Sequence, residues 1–131
     1  MSERMVIATL TLPGLERSAR HVRSFARNAL GERHPALDDV QTCVNEAFTN
    51  GIEHTESGRG GKVTVTFAAE RGELVAEVTD DGAGGHRPHL RDEPLAENGR
   101  GMRIIDALAL GWGLRADGDR TTVWMRFPGI G

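Results

Sequence analysis

Residues 43–55, CVNEAFTNGIEHT, decide how the rest of the chain is read. They close an amphipathic run in which Leu37, Val40, Val44, Ala47, Phe48 and Gly51 fall within one arc at about 100° per residue. That spacing predicts a helix from about Pro35 to His54. Glu46, Asn50 and His54 stand four residues apart beside this arc and stack in one line, drifting by about 40° per step. Taken alone, the line reads equally as the polar edge of a helix or as part of a site. An Asn carbonyl is a hard oxygen ligand suited to Mg²⁺, which takes few protein ligands. A Glu one turn away is placed to take a proton from an attacking hydroxyl. His54 lies on the same line with no task that the chemistry requires.

Upstream, Met5 to Leu12 is rich in Val, Ile, Thr and Leu and ends at Pro13-Gly14, the pattern of a short strand closed by a turn and suited to a sheet edge. From Leu15 to Leu30 the apolar residues keep helical spacing, and Gly31 stands where a C-terminal cap belongs. Arg17, Arg20, Arg23 and Arg27 gather on the other side of that helix, either as a solvated face or as a docking stripe for an acidic partner. Downstream, KVTVTFAAE and ELVAEVTD alternate and are joined by Arg71-Gly72, which predicts a β-hairpin. Asp80 to Met102 then runs for over twenty residues with little apolar periodicity, uncommon inside a compact domain unless the loop works. GMRIIDALALG reads as a third helix, opening where that Gly-rich segment ends. WGLRA, the turn DGD and RTTVWMRF read as a closing strand pair.

The chain has 131 residues, the size of one domain, and is expected to form a single unit over 1–131. A net charge of −3 makes no electrostatic case for wrapping nucleic acid, so no direct nucleic-acid partner is expected. Cys43 is the only cysteine, so it forms no internal disulfide and reads as a small apolar residue in a reducing, hence cytoplasmic, compartment. No segment approaches the roughly 20 apolar residues of a membrane span or resembles a signal peptide, which predicts a soluble protein without a membrane partner.

Two more segments carry chemistry. DDGAGG places Asp80 at the end of a predicted strand, where its carboxylate suits an exocyclic amine, with Gly82, Gly84 and Gly85 permitting close backbone approach to a ligand. By itself the segment also suits a plain chain reversal. ENGRGM sets Gly99, Arg100 and Gly101 immediately before the third helix, where exposed backbone N–H groups and a guanidinium suit a phosphate. A turn that merely needs flexibility is the other reading. Neither a Walker A sequence nor a dinucleotide fingerprint occurs.

In order, EAFTN on a helix, DDGAG after a strand and GRGM before a helix resemble the N, G1 and G2 boxes of the ATPase superfamily that includes gyrase, the heat-shock chaperone, histidine kinases and MutL, the GHKL superfamily. The resemblance runs from about Leu37 to Phe127. Without a sensor, a phospho-accepting helix pair or a transducer domain, the layout looks like the stand-alone branch of anti-sigma factors and serine/threonine protein kinases. That resemblance implies an α/β two-layer sandwich, the Bergerat-type ATP-binding fold, with a mixed, mostly antiparallel sheet and three helices on one face. It implies ATP and Mg²⁺, with Asn50 on the metal and Asp80 on the adenine amine. Gly82 and Gly84 would lie against the nucleotide, and Gly99, Arg100, Gly101 and Met102 at the phosphates under a lid of residues 86–98. Thr121 would stand in the adenine pocket, and Glu46 would be the catalytic base. The implied partners are an anti-anti-sigma factor, whose Ser or Thr accepts phosphate, and a sigma factor, with homodimerisation common in the branch.

Two positions depart from the family pattern. Glu97 stands where part of the branch has an Arg reaching the terminal phosphate, and Gly51 follows Asn50 where Ala is usual, a change worth up to about 1 kcal/mol of helix stability. Glu97 keeps open an ATP-binding module that acts only by holding a partner. A detached histidine-kinase ATPase domain is the third reading.

Overall fold

The structure, a computed structural model, describes residues 3–54, 61–81 and 99–129, with the backbone alone at 53, 54 and 99–101. Gly82, Gly84, Gly85, the expected lid at 86–98 with Glu97, and the side chains of His54, Gly99, Arg100 and Gly101 lie outside the described residues. The elements run β1 (Arg4–Pro13), a 3-10 turn (Glu16–Ser18), α1 (Ala19–Leu30), α2 (Leu37–His54), β2 (Lys62–Glu70), β3 (Glu73–Asp80), α3 (Gly99–Leu108), β4 (Gly111–Asp117) and β5 (Arg120–Pro128).

The strands form one sheet in the order β1-β2-β3-β5-β4. All four pairings are antiparallel, so the mixed sheet expected from the family resemblance has no parallel pair among the described residues. β1 is an edge strand, as its composition suggested. Arg71 and Gly72 both take positive φ, 56° and 80°, at the tip of the β2–β3 hairpin. Such a two-residue turn follows the right-handed twist of the strands it joins.

Strand alternation assigns one face of the sheet to the helices. Val63, Val65 and Phe67 of β2, Ala76 and Val78 of β3, and Val123, Met125 and Phe127 of β5 bury against α1, α2 and α3 in one core. Every residue of the apolar arc on α2 is buried, with Val40, Val44 and Phe48 at 0% exposure. Cys43 is buried beside them, as a small apolar residue would be. Phe25 of α1 stacks on Phe67, ring centroids 5.3 Å apart, and the Gln41 side-chain amide donates to the Arg23 carbonyl at 3.0 Å to tie α2 to α1. The opposite sheet face is polar. It carries Thr–Thr pairs across strands (Thr11–Thr64 at 2.9 Å, Thr79–Thr122 at 2.7 Å) and Glu77 between Arg4 and Arg115. A sheet with one apolar and one polar face is what a two-layer sandwich requires.

The helix starts differ from the sequence expectation, each for a local reason. α1 begins at Ala19 rather than Leu15 because the Ser18 N–H bonds back to the Leu15 carbonyl at 2.9 Å and closes a 3-10 turn first. α2 begins at Leu37, two residues after Pro35. The His34 ring accepts the Ala36 N–H at Nδ1 (3.0 Å), and the His34 carbonyl accepts the Leu37 N–H (3.1 Å). α3 begins at Gly99, so Gly99, Arg100 and Gly101 form its first turn instead of preceding it. At the far end of α1, the Gly31 N–H donates to the Arg27 carbonyl at 2.8 Å, the expected cap.

Burial lowers the pKa of His34 below the usual histidine value. Protonation at Nδ1 would also remove the acceptor that caps α2. The native state therefore binds fewer protons than the unfolded chain near the ordinary histidine pKa of about 6.5, and stability falls as pH drops below that value. Urea unfolding of the wild type between pH 7.5 and 5.5 is expected to lose up to about 1.4 kcal/mol per pH unit from this residue. His34→Asn, which retains a side-chain acceptor, is expected to remove that slope.

Candidate functional site

Asp80 is the last residue of β3 and pairs in register with Thr121 near the start of β5. Both face the helix layer, since Val78 and Val123, the next residues of the same parity, are in the core. Asp80 is 6% exposed and Thr121 1%. α2 closes over this strand end at Gly51, where an added Cβ would stand 3.4 Å from the Asp80 Cβ and 3.5 Å from its Oδ2. The helix backbone thus lies beside the carboxylate, with space between them for no more than a methyl in van der Waals contact. The adjacent Asn50 and, one turn earlier, Glu46 are half-buried on the same helix.

The Thr121 Oγ1 is buried and has no hydrogen-bond partner among the described residues. An unsatisfied buried hydroxyl costs about 1–3 kcal/mol, and such groups in folded proteins call for a ligand or a bound water. Its sheet neighbour Asp80 is a carboxylate, an acceptor for an N–H group. A buried acceptor and an orphaned hydroxyl side by side, roofed by helix backbone, suit a planar heterocycle that carries both an amine and ring nitrogens.

The two aspartates of the DD pair part company here. The Asp81 Oδ2 accepts the Lys62 backbone N–H at 2.6 Å, and its other oxygen stands 3.9 Å from Arg120. Asp81 therefore fastens the ends of β2 and β5, and Asp80 alone is turned into the layer between sheet and helices. The sequence singles out Asp80 but gives Asp81 no role, and it does not carry the closeness of Gly51 to Asp80. The glycine inside a strong helical pattern was the available signal.

The first turn of α3 has backbone N–H groups without intrahelical partners, and α2 packs along α3. Met102, expected at the phosphates, is 7% exposed and sits in the core, where it anchors that turn. Cys43 lies one turn before Ala47 on α2. Burial first, then the negative charges of Asp39 and Glu46, push its thiol up to about 12, so it is no nucleophile at neutral pH. No three His, Cys, Asp or Glu side chains are grouped for a metal among the described residues. No helix among them is long and apolar enough to cross a membrane. The structure thus brings together Asn50, Gly51, Asp80 and Thr121, with Glu46 one turn away.

The chain is a two-layer sandwich with a buried strand-end carboxylate beneath a helix. The chain belongs to the histidine kinase-like ATPase domain family, which it matches over residues 12–127. It is 40% identical over 74 residues to the anti-sigma F factor of Clostridium acetobutylicum, covering 56% of this chain and 51% of that one. It is 26% identical over 102 residues to the serine-protein kinase RsbW of Oceanobacillus iheyensis, covering 69% of this chain and 65% of that one. The chain thus spans between about half and two thirds of the length of these relatives. Its backbone is similar to the crystal structure of the RsbU and RsbW domains of a Mycobacterium tuberculosis protein, with a TM-score of 0.62 and 21% identity, over 92% of this chain and 32% of that one.

Replacing Thr121 with Val removes the orphaned hydroxyl without changing the shape of the side chain. Thr121→Val is expected to raise unfolding stability by about 1–2 kcal/mol in urea titrations of the nucleotide-free protein.

Proposed function

We propose that this chain is an ATP-dependent protein serine/threonine kinase of the anti-sigma type. Its acceptor would be a Ser or Thr hydroxyl on an anti-anti-sigma factor, and its second partner a sigma factor. The unphosphorylated antagonist competes with the sigma factor for the kinase, and phosphorylation releases the antagonist. The observation that carries the reading is the buried Thr121 hydroxyl, without a partner among the described residues, beside the buried Asp80 carboxylate and under the helix backbone at Gly51. The family and the printed names of the relatives support it.

The residues present fit ATP with Mg²⁺. Asp80 accepts from the adenine amine and Thr121 completes the adenine pocket. Asn50 offers its carbonyl to Mg²⁺, an ion that keeps phosphates and waters as its other ligands and needs no acidic cluster. The first turn of α3, Gly99 to Gly101, would present N–H dipoles to the phosphates, and the family resemblance assigns the Arg100 guanidinium to them. Met102 holds that turn in place from the core. By resemblance to the family, Gly82 and Gly84 would lie against the nucleotide and residues 86–98 would form the lid. When bound, ATP supplies the phosphoryl group and Mg²⁺ neutralises its charge. Glu46 takes the proton of the partner's hydroxyl, and Asn50, one turn along the same face, keeps base and metal on one rigid element. In this reading the domain works in the cytoplasm and as a homodimer.

Glu97, a carboxylate where a cation would suit the phosphates, favours a second reading in which nucleotide sets the lid and the protein acts only by holding its partner. Calorimetry decides the first step: Asp80→Asn is expected to weaken ATP binding about 10- to 100-fold, the cost of a charged hydrogen bond. No ATP binding by the wild type would overturn the whole proposal. Incubation with labelled ATP and an anti-anti-sigma protein is expected to place phosphate on one hydroxyl, and Glu46→Gln to abolish transfer while leaving ATP affinity within about twofold. Unchanged transfer in that variant would remove Glu46 as the base. Tight binding without transfer to any neighbouring regulator would select the second reading, and acid-labile product the histidine-kinase reading.

A further inference from the structure

Asp81 stands one residue past the candidate site, at the place where the sheet ends. Asp80 lies in register between Val63 of β2 and Thr121 of β5, and these are the terminal pairs of both ladders. In the next row outward, Lys62, Asp81 and Arg120, neither ladder continues among the described residues. A side chain takes over there. The Asp81 Oδ2 accepts the Lys62 backbone N–H at 2.6 Å, a short bond to a charged acceptor, and Oδ1 stands 3.9 Å from the Arg120 guanidinium. The Arg120 side chain is largely exposed, so the long ion pair adds little and the bond to Lys62 is the stronger tie.

The ends of strands open locally more readily than their centres, because fewer neighbouring bonds back each terminal pair. In this chain the opening would fall on the site itself. Asp80 is the last residue of β3, and its carboxylate points into the helix layer only while the registers to β2 and β5 hold as far as that row. The Asp81–Lys62 bond joins β3 to β2 at the position immediately beyond it. The terminal row is thus closed from outside by a carboxylate before the chain leaves the sheet. Reach matters as much as chemistry. Asn keeps an acceptor oxygen at the same distance from the backbone, Ala has none, and Glu carries its oxygens one methylene farther out.

We propose that Asp81 is a positioning residue for the nucleotide site: by accepting the Lys62 N–H it holds the end of β3 so that Asp80 meets the exocyclic amine of adenine. This role presupposes that the site at Asp80 and Thr121 binds ATP. Calorimetry with ATP and with purine riboside triphosphate, which has hydrogen in place of that amine, separates the two. The wild type is expected to prefer ATP. Asp81→Ala is expected to weaken ATP binding about tenfold and binding of the analogue by less than about twofold, since only the amine contact depends on Asp80. Asp81→Asn, which keeps the acceptor for Lys62, is expected to stay within about twofold of wild type for both ligands. On an Asp80→Asn background, Asp81→Ala is expected to cost no further ATP affinity, as for two residues acting through one contact. Amide exchange followed by NMR is expected to be slow at Lys62 in the wild type and in Asp81→Asn, and fast in Asp81→Ala. If Asp81→Ala does not fold, Asp81→Glu gives the same readout, a reduced preference for ATP over the analogue. Equal losses for the two ligands overturn the proposal in favour of a purely structural tie. Unchanged ATP binding alongside a fast-exchanging Lys62 amide overturns it outright. A wild type that binds both ligands alike, or neither, overturns the nucleotide reading of Asp80 and this role with it.

Discussion

The antiparallel pairing of β3 with β5 is the constraint on which the rest of the molecule depends. Its register runs from Glu73 opposite Pro128 to Asp80 opposite Thr121. Because side chains alternate along a strand, this one register sends Leu74, Ala76 and Val78, with Val123, Met125 and Phe127, into the helix layer together. Asp80 and Thr121 are carried inward by the same parity. A slip of one residue would turn the carboxylate to the polar face and expose the apolar set, so the core and the candidate site stand or fall on the same alignment.

α2 depends on that alignment in turn. Its buried arc seats on the inward side chains of β2 and β3, and Gly51, the last member of the arc, meets the sheet at Asp80. Packing thus fixes how far along β3 the helix lies, and with it the position of Asn50 and Glu46. Polar groups on α2 reach a site at its margin because the apolar arc anchors the helix. The opposite sheet face contributes cross-strand Thr pairs and the Arg4–Glu77–Arg115 group, which hold the outer strands to the centre without covering them. At one end of β3 the strand pair meets α2 and forms the candidate nucleotide site. At the other, the hairpin tip meets the α1–α2 connection and leaves an apolar cavity.

Much of this was legible in the chain. The period of the apolar residues marked α2 and six of its buried positions, and the alternation around Arg71-Gly72 marked the central hairpin. Gly31 and Cys43 took the roles their residue types suggested. Helix starts were less legible, because they are set by bonds between groups that periodicity does not register: the Leu15 carbonyl, the His34 ring and the backbone of Gly99. Met102 had been assigned to the phosphates by family resemblance, and its burial in the core became visible only when α3 was placed against α2.

The sequence by itself determined the element types and the residues that face the core, because those follow from 3.6-residue and two-residue periods written into neighbouring positions. It also determined the set of polar groups available for chemistry, Glu46, Asn50, Asp80 and Thr121 among them. Asp80 is singled out by the sequence at its strand end, but only the tertiary structure decided what its neighbour does, since Asp81 is held by the Lys62 backbone N–H beyond the β3–β5 register. It alone decided that the Thr121 hydroxyl has no partner among the described residues and that the helix meets the sheet with Gly51 beside Asp80. These are contacts between segments far apart in the chain, and no local pattern carries them.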